Sequence, residues 1–214
     1  FSNKMEDWVS RSNALITQGL AESDQLKDGE WHFEEEKNGI KIYTKPFTAT
    51  LTAGKGVSEY ARSSEEMFNF VNSWSLETRW GKGNTTNPIA APGPLNSEVV
   101  AEEGTRKLVF VLLPMKWPIS NREFIYVSDT RIQGNTYTII ERSLSVPEVP
   151  LSDGCVRGNL NMATIYIEPI SDSRCKVTFL VQFDPSGDIP DMVKGKIQKG
   201  WAELVPSILH QHTD

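Results

Sequence analysis

The residue types that usually do chemistry are thinly spread along this chain. Three histidines and two cysteines are present. His32 sits in an early strand-like stretch, while His210 and His212 lie near the end. None has a Cys, His or Asp companion at the spacing of a zinc site. Cys155 and Cys175 fall near the starts of two successive strand-like segments. An antiparallel hairpin would put those starts at opposite ends, so no disulfide is expected between them. A reducing, cytoplasmic setting is therefore expected. "GKGNTT" at 81–86 lacks the strand-before, helix-after context of a phosphate loop. No Gly-x-Ser-x-Gly elbow or dinucleotide fingerprint occurs. With no nucleophile beside a base, the expectation is a protein that is not an enzyme and holds no metal or cofactor.

A different chemistry is legible in "MKWPISNREFIY", residues 115–126. Strand-like runs flank it, yet Trp117-Pro118 cannot sit in a central strand, because proline has no N–H for the ladder. Ser120-Asn121-Arg122-Glu123 then reads as a polar turn. A tryptophan on a connecting loop either folds back onto the core or touches something apolar outside the protein.

The elements that must position this loop follow from periodicity. At 214 residues, 38% hydrophobic and 23% charged, the chain has the bulk of one globular domain spanning 1–214. A net charge of −6 makes a nucleic-acid backbone an unsuitable partner. The longest apolar run, Leu108 to Leu113, is strand-sized and far short of the ~20 residues of a membrane span. "FSNKMEDWV" has neither a basic nor an apolar signal-peptide region, so none is expected.

A helix is expected over 3–22, with Trp8, Leu15, Ile16 and Leu20 on one face. Strand signals follow in "WHFEEE", "GIKIYTK" and "TAGKGVSEY". A second helix opens at Ser63 and Glu66, a capping-box pair, with Met67, Phe70, Val71 and Trp74 at helical spacing. Six strands are expected between 97 and 183, giving about nine in all. Sheet and short helices together span 31–183. Cys175, Val177, Phe179, Val181 and Phe183 alternate along the last strand. A terminal helix over 188–211 starts at Asp188 and Pro190. It carries an apolar stripe of Val193, Ile197, Trp201, Leu204 and Ile208. Helices segregated to the side of an antiparallel sheet make the class α+β.

The order of elements, with "GIKIYTK", Trp80, "WPISNREFIY" and "VQFDPSGDIPDMV", and more weakly "CVRGNL", resembles the START lipid-transfer family (steroidogenic acute regulatory protein-related). The resemblance covers essentially the whole chain. It implies a helix-grip fold, a curved antiparallel sheet wrapped around a long C-terminal helix that encloses an apolar cavity. The function implied is binding of a single lipid and its transfer between membranes, by a monomer that touches membrane surfaces transiently. The lipid is a sterol, fatty acid, phospholipid or sphingolipid.

Several site residues follow from the resemblance. An apolar lining is implied from Phe110, Leu112, Phe124, Tyr126, Ile139, Phe179, Val181, Trp201, Leu204 and Ile208. Ser128, Glu141 and Tyr166 are its polar members. Met115, Lys116, Trp117 and Pro118 are the implied membrane-contact loop. Trp80, Arg122 and Glu123 are structural, with Arg122 and Glu123 read as an ion-paired cap to the loop.

The departures matter as much. Where phosphatidylcholine binders carry arginine and aspartate, this sequence has Glu77 and Gly81. The ceramide set falls on Glu77, Gly81, Val111 and Glu141, and the sterol-branch pair on Val109 and Ser128. Glu141 either faces the cavity or pairs outward with Arg142 or Arg157. The terminal helix contains Gly195, Gly200 and Pro206, poor helix-interior residues that cost about 1 kcal/mol per glycine and 3 for proline. They mark either a mobile lid or the end of one helix and the start of another. Two further readings belong to the same fold. One is a ligand sensor that signals to a protein partner. The other is a cyclase-type enzyme using Glu141 or Tyr166 as acid–base group.

Overall fold

The structure, a computed structural model, describes residues 7–75 and 96–213. Helix α1 spans Trp8–Lys27. It starts and ends later than the 3–22 expected, and residues 1–6 lie outside the described part. Its buried stripe is Trp8, Ser12, Ile16, Gly19 and Ser23, so small residues let the helix lie close to the sheet. Leu15 and Leu20 pack only at its margin.

Strands β1 (His32–Lys37), β2 (Ile40–Pro46) and β3 (Thr52–Tyr60) precede helix α2 (Ser64–Asn72). The expected capping box opens α2: Ser63 Oγ accepts from the Glu66 amide at 3.2 Å, and the Ser63 amide donates to Glu66 Oε2 at 2.9 Å. Seven further strands follow: β4 (Asn96–Glu103), β5 (Arg106–Leu113), β6 (Asn121–Gln133), β7 (Thr136–Ser143), β8 (Cys155–Arg157), β9 (Asn159–Ser171) and β10 (Arg174–Asp184). Helix α3 (Asp191–Thr213) ends the chain and runs unbroken through Pro206.

The strands form one sheet in the order β1-β2-β3-β10-β9-β7-β6-β5-β4. Every pairing on that path is antiparallel, and the short β8 lies off it, parallel to β6. Gly158 separates β8 from β9. A Cβ there would stand 2.4 Å from the Phe124 ring, and the glycine amide donates to Glu123 O at 3.0 Å. Both cysteines are free, as expected.

The sheet has two unlike ends. At one end lie the tight turns, where Asn38, Gly39, Gly104 and Gly134 take the positive φ such turns require. At the other end lie the longer connections: 47–51, 114–120, 144–154 and the segment from Pro185 to Pro190 that leads into α3. The Trp117 loop and the base of the terminal helix therefore share one rim.

Candidate inner cavity and rim of a lipid-binding fold

Pleating sends alternate side chains to opposite faces, and three clusters record where they go. The inner face carries Val109, Val111, Leu113, Phe124, Tyr126, Tyr137, Ile139, Ile165, Ile167, Phe179, Val181 and Phe183. Met67 and Val71 of α2 and Trp201, Ala202, Val205, Ile208 and Leu209 of α3 cover it. On the outer face Leu108, Phe110, Ile125, Val127 and Ile140 pack against Trp8 and Ile16 of α1. Met162, Tyr166 and Leu180 continue that face under Leu26 and Trp31.

Of the expected lining, Phe124, Tyr126, Ile139, Phe179, Val181, Trp201 and Ile208 come together in the inner cluster. Phe110, Leu112 and Tyr166 do not. Phe110 and Leu112 belong to the outer cluster, and their places inside are taken by Val109 and Val111. The sequence offered no parity for them, because "KLVFVLL" is apolar on both faces. Pairing would have found it: Val109 lies opposite Tyr126 and Val111 opposite Phe124, and residues opposite one another share a face. Tyr166 is also an outer residue, and its hydroxyl donates to Asp24 Oδ1 of α1 at 2.9 Å. Burial and this carboxylate both push its phenol pKa up. The side chain of Leu204, and Trp80 with Glu77 and Gly81, lie outside the described residues.

Glu141 points inward and is 1% exposed. With Ser128, its partner in the β6–β7 register, it lines a cavity of about 200 Å³ between the end of α2 and strands β4 to β7. Tyr126, Ile139, Val71 and Trp74 supply apolar wall, while Lys107, Thr130 and Asn72 add polar groups. The interior thus has an apolar body and a polar inner end. Cys175 is buried in the same cluster, and burial pushes its thiol up to about 11, which leaves it protonated and a poor nucleophile. Among the described residues no group of three His, Cys, Asp or Glu is placed to hold a metal ion.

At the rim, Trp117 is 92% exposed. Lys116 and Pro118 beside it are exposed and Met115 is half-buried. The loop is braced from within. The Met115 amide donates to Asn121 Oδ1 at 3.1 Å, and the Ile119 amide to Lys116 O at 3.0 Å. Met192 in the first turn of α3 is 73% exposed on the same rim. Among the described residues no helix is long and apolar enough to cross a membrane.

Arg122 and Glu123 are not paired with each other. As successive strand residues they point to opposite faces. Glu123 accepts from Arg157 Nε at 2.7 Å and from the Ser152 amide at 3.2 Å. Arg122, 3% exposed, donates to the carbonyls of Ser120, Pro185 and Ser186.

Comparison with known proteins agrees with this architecture. The START domain family model matches residues 98–207. The ceramide transfer protein of Mus musculus is 23% identical over 93% of this chain and 33% of its own length, and that of Homo sapiens gives the same three figures. The chain thus spans about a third of those relatives. Human STARD10 superposes with a TM-score of 0.73 at 16% identity, covering 91% of this chain and 78% of that one. Human StAR-related lipid transfer protein 5 gives 0.70 at 18% identity, covering 97% and 99%. With the helix-grip layers, the inner cavity and the family match in agreement, the chain belongs to the START domain family.

Proposed function

We infer that the chain binds one lipid on the inner face of the sheet and carries it between membranes without changing it chemically. The observation that carries this reading is the pairing of an apolar inner face covered by α2 and α3 with a nearly fully exposed tryptophan on the rim where α3 begins. Tryptophan suits a headgroup zone, because its ring is apolar and its N–H still finds water. The relatives named for lipid transfer support the same direction.

The energetics suit a carrier. Each buried CH₂ gains about 0.8 kcal/mol against water, so a chain of roughly sixteen carbons gains over 10 kcal/mol in a bilayer or a protein alike. Transfer between the two is then nearly balanced, and the barrier is exposure in between. Docking the rim on the bilayer lowers that barrier. The polar inner end around Ser128 and Glu141 receives the head, favouring a small head rich in hydroxyl or amide groups over a bulky zwitterion. The cavity of about 200 Å³ falls short of the ~300–1,000 Å³ usual for small-molecule sites, so loading requires the packed inner face to open further. The protein works as a monomer in the cytoplasm and touches membranes transiently.

Native mass spectrometry after incubation with a cell lipid extract is expected to show one lipid per chain, and a spectrum that stays at the apo mass overturns the reading. Trp117→Ala is expected to slow vesicle-to-vesicle transfer roughly tenfold, the loss of one large apolar anchor, with the melting temperature unchanged. An unchanged transfer rate removes the Trp117 loop from the docking surface.

A further inference from the structure

Arg122 stands where the Trp117 loop meets the segment that leads into α3, and its hydrogen bonds go to both. Nη1 donates to Ser120 O, the last residue of the Trp117 loop. Nε donates to Pro185 O at 2.7 Å and Nη2 to Ser186 O at 2.9 Å, the two residues that follow β10 toward α3. The second segment is a tight, unusual turn. Ser186 and Gly187 take φ of 54° and 69°, and the Ile189 amide closes back on Gly187 O at 2.9 Å. It fits closely against the guanidinium, since a Cβ on Gly187 would stand 3.3 Å from Nη2.

The geometry points to Arg122 as a positioning residue that couples the Trp117 loop to the base of the lid helix, so that movement of the loop at a bilayer is passed to α3. The inference rests on the membrane-docking reading above and deepens it. The physical reason is that a buried guanidinium is costly unless its donors are satisfied. All three acceptors named are backbone carbonyls, two from one segment and one from the other. Pulling the segments apart would strip hydrogen bonds from a buried charge, whereas moving them together keeps the charge satisfied. The loop side is stiffened by Asn121, whose Oδ1 holds the Met115 amide, so a push at Trp117 reaches Ser120 without being absorbed on the way. Lysine cannot replace the residue: a compact ammonium lacks the planar fork that spans acceptors on both sides.

The test is hydrogen exchange of the full chain with and without phosphatidylcholine vesicles, read over 185–200. Insertion of the loop is read in parallel, as quenching by brominated lipid that is lost in Trp117→Phe. In the wild type, vesicles are expected to quench Trp117 and to speed exchange over 185–200. In Arg122→Lys the quenching is expected to persist while the exchange response falls at least threefold. Gly19→Ala, which lowers stability from the outer face, is expected to keep the full response, so a merely structural role for Arg122 predicts a different result. If Arg122→Lys does not fold, Gly187→Ala disturbs the same contact from the lid side and is expected to show the same loss.

A full exchange response in Arg122→Lys, or a wild-type lid that ignores vesicles while Trp117 is quenched, overturns the coupling and leaves membrane docking standing. Absence of Trp117 quenching in the wild type overturns the docking reading itself, and the coupling falls with it.

Discussion

Helices α1 and α3 cover opposite faces of one sheet, and they are attached by different chemistry. Under α1 the apolar packing of Trp8 and Ile16 is joined by a row of polar contacts, and small residues bring the helix close. Ser23 Oγ meets Thr164 Oγ1 at 2.8 Å. Asp24 accepts from both terminal nitrogens of Arg131 and from Tyr166, and Lys27 donates to Glu168 at 2.7 Å. Near the helix start, Arg106 Nη1 bonds Ser12 Oγ and Asn13 Oδ1, while its Nη2 bonds Asp129. Such directional contacts fix one position. Under α3 the described contacts with the inner face are mostly apolar, and the side-chain hydrogen bonds described to the sheet lie toward its C-terminal end. Tyr60 donates to Pro206 O at 3.0 Å, and Ser58 Oγ lies 2.8 Å from His210 Nε2. Apolar contact tolerates sliding and can be replaced by lipid tails, so the proposed function casts α1 as the fixed cover and α3 as the lid.

The largest effect that would test this contrast comes from two glycines. Pro206 has no N–H, so the Ala202 carbonyl has no helical donor four residues on. That carbonyl settles on Gly56 of β3, where an added Cβ would stand 2.0 Å from the oxygen. Gly19 in α1 would place its Cβ 2.5 Å from Arg142 Cδ and 2.8 Å from Ile140 Cδ1, the movable tips of side chains. Gly56→Ala is therefore expected to unseat α3, lowering the melting temperature by roughly 5–10 °C and speeding lipid release. Gly19→Ala should lower it by about 2–4 °C and leave lipid exchange unchanged. Equal losses, or faster lipid exchange in Gly19→Ala, would abolish the asymmetry.

The next effect bears on the fixed cover and on pH. The hydrogen bonds from Arg131 hold the Asp24 carboxyl below its ordinary pKa. Burial pushes Asp129 up, but bonds from Thr105, Arg106 and the Thr130 amide outweigh it, and the net shift is also downward. Carboxylates with depressed folded values add stability that is complete above the unfolded value, about pH 4. It is lost as pH falls through the folded values. Asp24→Asn should cost about 1 kcal/mol at neutral pH, the side chain being partly solvated. It should also flatten the loss of denaturant midpoint between pH 6 and 3. A mutant profile parallel to that of the wild type would show that Asp24 does not fasten α1.

How much of this was legible in the sequence follows the same division. Features written in one stretch of chain were readable: the capping box at Ser63, the alternation of β10, and the placing of Trp117 on a loop between strands, whose outward direction only the resemblance implied. The placing of Phe110 and Tyr166 was not, because β5 and β9 are covered on both faces and read as apolar runs without a period. The outer cover itself was hidden. Its stripe uses Ser12, Gly19 and Ser23 where a search for apolar spacing finds Leu15 and Leu20. Arg122 was noticed, but its partners lie more than sixty residues away, at Pro185 and Ser186. A reading of neighbours gave it Glu123, which the pleat sends to the other face.

The smallest effect sharpens the removable side. Two ion pairs with one or both partners open to solvent tie α3 to the edge strand, Lys37 Nζ to Glu203 Oε1 at 2.9 Å and Lys199 Nζ to Glu35 Oε1 at 2.7 Å. The hydrogen bond from Lys199 lowers the Glu35 pKa, and that to Glu203 raises the Lys37 pKa. Pairs this open to solvent are weak and lose strength as the screening length shrinks from about 10 Å at 0.1 M salt toward 3 Å at 1 M. Raising salt from about 0.05 to 0.5 M should therefore speed lipid exchange with uncharged vesicles, by roughly twofold. Neutral vesicles matter here, because they remove any salt effect on docking of Lys116. Lys37→Gln combined with Lys199→Gln should start at the faster rate and lose the salt response. If the double variant keeps the full response, the ion pairs are bystanders, and the hold on α3 against the sheet rests on other contacts, apolar packing and the Tyr60 and His210 pins among them.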